Sequence, residues 1–335
     1  MNSRMKAAVV NEAELPLVIT ELLVPEPKEH EVRLKVQASS VNPLDIKISK
    51  GQAPHAKHPY PAVLGIDTVG IVEKVGTSVK NLKVGDKVYG LAGGVGGIQG
   101  SLAEYQVVDA SLLALAPSNI SSLESASIPL IFITAWEGLV DRANVSAGKT
   151  VLVHGGAGGV GQMVIQIAKS FGAQVYATGY PDDFDSIRDM GATPIDFTST
   201  TVEEYVQQHT GGDGFDIVYD TVGGEVLDNS FKSAKTYVGH VVSCLGWGTH
   251  SIAPLSFRGA TYSGVFTLLP IQTGKHRSHH GYIMSMATKL VESGQLRVHQ
   301  DPRVFKLSEI NQAYQYILSG KAKGKVAISI SDDNS

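Results

Sequence analysis

The 335-residue sequence holds a single cysteine, Cys244. One thiol closes no internal disulfide and builds no multi-cysteine zinc site, and the redox setting it implies is cytoplasmic. Charge is also sparse. Charged residues make up 18% of the chain, the net charge is -4, and no Lys/Arg run occurs. The electrostatic footprint of a nucleic-acid or anionic-membrane partner is therefore missing. No apolar stretch approaches the roughly 18 residues of a membrane helix, and charges interrupt residues 1–10 before a signal-peptide core can form. There is no internal repeat, no low-complexity linker, and no G-x-S-x-G elbow accompanied by a hydrolase triad. His55 with His58, and His276 with His279 and His280, lack a clear third ligand. Lys275 and Arg277 around the second group suggest a solvated loop, so neither is read as a metal site. What remains is 43% hydrophobic residues in a chain too long for one compact core. Two domains of a globular protein are the expectation.

The pattern changes along the chain. Residues 31–37 alternate as a half-buried strand does, and 68–76 and 86–89 read as further strands between Gly and Pro turns. The glycine-rich stretch Gly93-Gly94-Val95-Gly96-Gly97 follows no apolar strand and reads as a plain loop. From Ser122 onward helical stretches alternate with short apolar strands at 150–154, 174–178, 216–219 and 239–243. Strands spaced by helices indicate βαβ units and a parallel sheet. This run ends near 261–266. A helix from about 281 to 293 and a strand at 325–330 follow, and the tail 332–335 is expected to fray.

The motif with chemistry is Gly156-Ala157-Gly158-Gly159-Val160-Gly161. G-x-G-x-x-G alone is a weak signal, but here a strand leads in, a helix from about 160 to 171 leads out, and the next strand follows at once. The first glycine allows a tight turn, the second lets backbone approach a pyrophosphate, and the third lets helix pack on strand. The helix N-terminus then offers free N–H groups and partial positive charge to the phosphates. This pattern binds a nicotinamide dinucleotide. The second strand ends in Thr178-Gly179-Tyr180 with no acid at its tip, where NAD enzymes usually place one for the ribose. The open tip favours NADPH over NADH, with Tyr180 or Arg188 available to a 2′-phosphate. Asp182 and Asp183 oppose that choice if they face the ligand, or serve as caps of the next helix.

Several motifs in one order extend this reading. They include Ser40-Val41-Asn42-Pro43-Leu44-Asp45, Gly65-Ile66-Asp67-Thr68-Val69-Gly70, Val84-Gly85-Asp86, Ala103-Glu104-Tyr105, Ile133-Thr134-Ala135-Trp136, the glycine turn, and Asp220-Thr221-Val222-Gly223-Gly224. Over nearly its whole length the chain resembles the medium-chain dehydrogenase/reductase superfamily, in its zinc-free quinone oxidoreductase (zeta-crystallin-like) branch. The resemblance implies an α/β fold: a GroES-like β-rich substrate domain in two parts, 1–124 and 266–335, around a Rossmann dinucleotide-binding domain, 125–265. It also implies a homodimer.

Where zinc alcohol dehydrogenases of the superfamily carry Cys, His and Cys, this chain carries Asn42, Ile66 and Leu130. A carboxamide and two hydrocarbons make no zinc site. Without that Lewis acid, alcohol oxidation is disfavoured. Hydride transfer to a quinone or an α,β-unsaturated carbonyl fits better, largely through positioning. The resemblance places Asn42 and Asp45 toward nicotinamide and substrate, although Asn-Pro and Asp also suit turns. It places Thr134 near the nicotinamide at the start of a helix, where capping is the alternative. It sets Thr221, Val222, Cys244, Leu245 and Phe266 along the cofactor, while Cys244 also suits a small apolar position. Two departures stand out. Ala53 replaces a tyrosine that serves as the proposed proton donor in enoyl-thioester reductases, and Lys47 replaces a tyrosine common in bacterial quinone reductases. An enoyl-thioester reductase and a non-catalytic NADPH-binding protein are the alternatives.

Overall fold

In the computed structural model, which describes residues 3–331, the chain forms two compact units: Met1–Leu130 together with Leu268–Ser335, and Ile131–Thr267. The tail 332–335 lies outside the described residues. No helix among them is long and apolar enough to cross a membrane.

The discontinuous unit is built around the strand Glu31–Val41. Its alternation buries Val32, Leu34 and Val36. It runs antiparallel to Asp67–Val75, Tyr105–Asp109 and Val326–Ser329. The last pairing sets Val326 opposite Val41 and so draws the end of the chain onto its beginning. The helix Pro43–Ser49 follows directly. Proline at its first position has a φ already suited to a helix, and the Asp45 carboxylate accepts from the Asn42 N–H at 2.8 Å, closing the first turn.

One sequence expectation fails here. The segment around His276–His280 is not a solvated loop. The helix runs Arg277–Glu292, starting four residues before the expected position, and His280 and Gly281 are buried. The cause is tertiary. The Arg277 guanidinium donates to the Asp109 carboxylate at 3.0 Å and to the Ile271 carbonyl at 2.9 Å, so a charge that looked solvated is paired.

The second unit is a six-stranded parallel sheet. Its spatial order is Thr193–Asp196, Gln174–Gly179, Thr150–His154, Ile217–Asp220, His240–Ser243, Thr261–Gly264. Numbered along the unit, that is 3-2-1-4-5-6. The inner strands are buried on both faces, which explains their continuous runs of Val, Leu and Ile. The strand order reverses between Thr150–His154 and Ile217–Asp220. A crevice for ligands opens at the carboxyl ends of such a pair. The α/β architecture, a sheet-rich GroES-like part and a parallel-sheet Rossmann part, is as the sequence implied.

Candidate active site

Strand Thr150–His154 ends at Gly155, whose φ of +77° only glycine adopts without strain. The turn is stitched to the neighbouring strand: Gly155 N–H donates to Thr178 Oγ1 at 3.1 Å and Gly156 N–H to the Thr178 carbonyl at 2.9 Å. Gln162 Nε2 braces it from inside through the Ala157 carbonyl at 2.7 Å. Helix Gly159–Ser170 then begins with Gly158 as its extended N-cap and no side chain capping it. At Gly161 a Cβ would lie 2.1 Å from the Gly155 carbonyl oxygen. Glycine there is what lets the helix close on the turn. The first-turn N–H groups of a helix have no partner within the helix, which suits a bound pyrophosphate.

Beside the turn is a cavity of about 820 Å³, lined by Gly155, Gly158, Gly179, Tyr180, Thr221 and Val222 among others. The sequence reading named five of these six residues (Gly158, Gly179, Tyr180, Thr221 and Val222) as cofactor contacts, and Gly156, Gly159 and Val160 belong to the adjoining turn and helix. A larger groove of about 990 Å³ runs beside helix Arg277–Glu292 in the other unit, but it contains no glycine turn.

Two acids, Asp183 and Glu203, stand in the lining of this cavity. Asp183 lines it, with Oδ2 accepting from the Tyr180 N–H at 3.2 Å, whereas Asp182 does not line it. Asp183 stands at the N-cap of helix Phe184–Asp189, but its side chain does not cap it. Arg188 points elsewhere, donating to Asp185 at 2.9 Å with its guanidinium 5.6 Å from the Phe184 ring. Lys232 is the cation in the lining.

Two residues here were not singled out from sequence as site residues: His154, which lines the cavity, and Asp220, which adjoins the lining residue Thr221. His154, the last residue of the lead-in strand, is buried at the cavity wall. Burial holds its imidazole well below the ordinary value, hence neutral, and Nε2 finds no hydrogen-bond partner among the described residues. Asp220 organises the opposite edge. Its buried carboxylate accepts from Val222 N–H at 3.0 Å, Gly223 N–H at 2.9 Å and Ser243 Oγ at 2.6 Å. It holds the loop carrying Thr221, whose hydroxyl donates to the His154 carbonyl at 2.7 Å.

Cys244, Leu245 and Phe266 lie along the following strand ends and outside this cavity lining. Burial pushes the Cys244 thiol up to about 12, which makes it an unreactive thiol. Leu245 packs beside Gly223, and the Phe266 ring meets Trp247 edge-on at 6.2 Å. Thr134 does not start a helix. It is the sixth residue of helix Pro129–Trp136, and its carbonyl accepts from Tyr219 Oη at 2.6 Å. The buried start of that helix, anchored by Leu130, displaced the expected boundary.

Asn42 and Asp45 belong to the discontinuous unit. Both are buried. Asn42 Nδ2 donates to Asp67 Oδ2 at 2.8 Å, and its Oδ1 accepts from Lys325 Nζ. Burial, with the Asp67 charge adding to it, pushes the Asp45 carboxyl up to about 7 against the lowering pull of the Asn42 and Gly65 N–H groups. Leu130 meets the same carboxylate through its backbone, N–H to Asp67 Oδ1 at 2.8 Å, and Ile66 precedes it. The three zinc-ligand positions of the alcohol dehydrogenases therefore gather around Asp67. The groups they supply do not fit zinc: a carboxamide already engaged on both ends, and two hydrocarbons. No cluster of three His, Cys, Asp or Glu suited to a metal occurs among the described residues. Asp67 and Lys325 were missed as a pair. Asp67 stood inside a quoted motif, but nothing in the sequence joins it to a lysine 258 residues away.

A 3-2-1-4-5-6 parallel sheet with a glycine turn at the head of its first helix defines a dinucleotide-binding protein. Residues 28–118 match the alcohol dehydrogenase GroES-like domain family and residues 190–328 the zinc-binding dehydrogenase family. The chain is 37% identical over 317 residues to the NADPH-dependent alkenal/one oxidoreductase, chloroplastic, of Arabidopsis thaliana, covering 92% of this chain and 74% of that one. Among solved structures, an alcohol dehydrogenase superfamily protein from Novosphingobium aromaticivorans superposes with a TM-score of 0.95 at 51% identity, covering 98% of this chain and 100% of that chain. The quinone oxidoreductase from Coxiella burnetii does so at 0.81 and 27%, with the same coverage. The chain belongs to the medium-chain dehydrogenase/reductase superfamily, in its zeta-crystallin-like quinone oxidoreductase branch.

Proposed function

We propose that the chain is an NADPH-dependent oxidoreductase that transfers hydride to a quinone or an α,β-unsaturated carbonyl compound, without zinc. The observation that carries this reading is the braced glycine turn opening onto the 820 Å³ cavity. It combines with relatives named for alkenal/one and quinone reduction. NADPH, when bound, supplies the hydride. Residues 125–265 hold the dinucleotide: Gly156, Gly158, Gly159 and Val160 take the pyrophosphate against the helix N-terminus, Gly179 and Tyr180 take the ribose end, and Thr221 and Val222 flank it. Neutral His154 offers an acceptor or donor at the wall without placing a charge there. The acceptor falls to residues 1–124 and 266–335, with Asn42 and Asp45 from the resemblance. Because an activated acceptor needs little polarisation, the protein's share is positioning and exclusion of water. A cytoplasmic homodimer completes the reading, on the single cysteine and the resemblance.

Steady-state oxidation of NADPH should proceed with 1,4-benzoquinone, 9,10-phenanthrenequinone or 2-alkenals and much more slowly with crotonyl thioesters. Micromolar NADPH binding without turnover of any acceptor would sink the enzymatic reading. A preference for the thioester would replace the acceptor class.

A further inference from the structure

The buried carboxylate of Asp67 is 0% exposed, and four groups converge on it. Oδ1 accepts from Leu130 N–H at 2.8 Å. Oδ2 accepts from Ser40 Oγ at 2.6 Å, Asn42 Nδ2 at 2.8 Å and Lys325 Nζ at 3.1 Å. Hydrogen bonds alone do not balance a buried charge, so the ammonium is the group that matters. The Lys325 side chain is 9% exposed. Its three protons meet three acceptors: Asp67 Oδ2, Asn42 Oδ1 and the Val41 carbonyl at 3.4 Å. An ammonium has three donors and no acceptor, so this lysine is saturated. Its backbone is also held. Lys325 N–H donates to the His299 carbonyl at 3.0 Å, and the pairing of Val326 with Val41 sets Lys325 across from Asn42.

The same arrangement settles which way the Asn42 carboxamide points. With a carboxylate on one side and an ammonium on the other, only Nδ2 toward Asp67 and Oδ1 toward Lys325 satisfies both. Flipping it would oppose like groups at both ends.

Asn42, Ile66 and Leu130, the positions that supply zinc ligands in the alcohol dehydrogenases, surround or adjoin this pair. We propose that Lys325 is the resident cation of this site: its ammonium provides the positive charge that Asp67 and Asn42 are arranged around, and it closes the place against a divalent metal. The cation is carried by the chain and is not exchangeable. Chelators should then leave the protein unchanged, and metal supply should not affect its folding.

Three variants of the full chain test this: Lys325→Met, Asp67→Asn and the double variant. Zinc content after dialysis against excess zinc and the urea midpoint are the readouts. The wild type should retain less than about 0.1 zinc per chain. Each single variant leaves one buried charge unbalanced and should lower the midpoint strongly or fail to fold. In the double variant the side chain at position 67 is a neutral carboxamide whose Nδ2 donates to the Oδ1 of a flipped Asn42, and the variant should regain more than half of the summed loss. If a single variant does not fold, recovery of soluble, cooperatively unfolding double variant is the same result. A double variant no better than the additive sum, or one zinc per wild-type chain, overturns the proposal. Neither outcome depends on which acceptor the enzyme reduces.

Discussion

Asp183 is the residue on which we expect cofactor choice to turn. The strand tip at Gly179 carries no acid of its own, but the Asp183 carboxylate lines the same cavity, tethered to the Tyr180 N–H. Asp182 and Arg188 take no part in the lining. A carboxylate near a phosphate repels it and accepts from a ribose hydroxyl. Asp183→Ser should therefore raise the ratio of kcat/KM for NADPH over NADH by about tenfold, equivalent to ~1.4 kcal/mol. A ratio that does not move would remove Asp183 from the ribose subsite. At the turn, a Cβ on Gly158 would sit 3.3 Å from the Gly155 carbonyl. That is a tight contact for any Cβ, and a carboxylate there would also repel a pyrophosphate. Gly158→Asp should weaken NADPH binding by about a hundredfold, ~2.7 kcal/mol; titration of cofactor fluorescence checks it, and unchanged affinity would refute the assigned turn. Sequence identified both residues. It could not say which of Asp182 and Asp183 lines the cavity, because consecutive residues in a short turn point in directions only the fold determines.

Among the elements, helix Gly159–Ser170 depends on contact with the turn before it. Gly161→Ala places a Cβ 2.1 Å from the Gly155 carbonyl oxygen, with backbone on both sides and nothing flexible to yield. The helix must back away from strand Thr150–His154. A stability loss of roughly 1–3 kcal/mol follows, read as a lower urea midpoint, together with weaker NADPH binding. A variant as stable as wild type would show that the close approach is unnecessary. The four strands read from the alternation of helix and apolar run lie within a residue or so of their expected ends, because buried parallel strands are nearly uninterrupted runs of β-branched residues. Helix Arg277–Glu292 was harder to place. Its first turn is rich in His and Arg, and the Asp109 carboxylate that pairs with Arg277 lies 168 residues away in sequence, beyond any local pattern.

For the whole molecule, two buried ionisable groups give the two units opposite responses to pH. Asp45 has its pKa raised to about 7 in the folded discontinuous unit, where Asp67, Lys325 and Tyr314 are its charged and titratable neighbours. Its contribution is full below the ordinary carboxylate range and is lost as pH rises through 7. His154, in the other unit, has its pKa lowered from the ordinary 6.5 by burial. Its contribution is present above that value and is lost as pH falls below it. Hydrogen exchange, corrected for intrinsic rate, should show protection of strand Glu31–Val41 falling between pH 5 and about 7.5 while protection of strand Thr150–His154 rises, each by a few kcal/mol at most. Asp45→Asn should flatten the first trend and leave the second. Parallel responses in both units would contradict the assignment.

What the sequence determined by itself is the local grammar: which segments alternate as strands, where βαβ units begin, and that Gly156 to Gly161 open a helix for a dinucleotide. These follow from spacing and residue type within a few turns of chain. The tertiary structure alone decided the rest. It paired Lys325 with Asp67, turned Asp183 toward the cavity and Arg188 away from it, and buried His154 in neutral form. The Lys325–Asp67 pair rests on burial and on partners 258 residues apart, and no local pattern encodes the free energy of a charge that has lost its water.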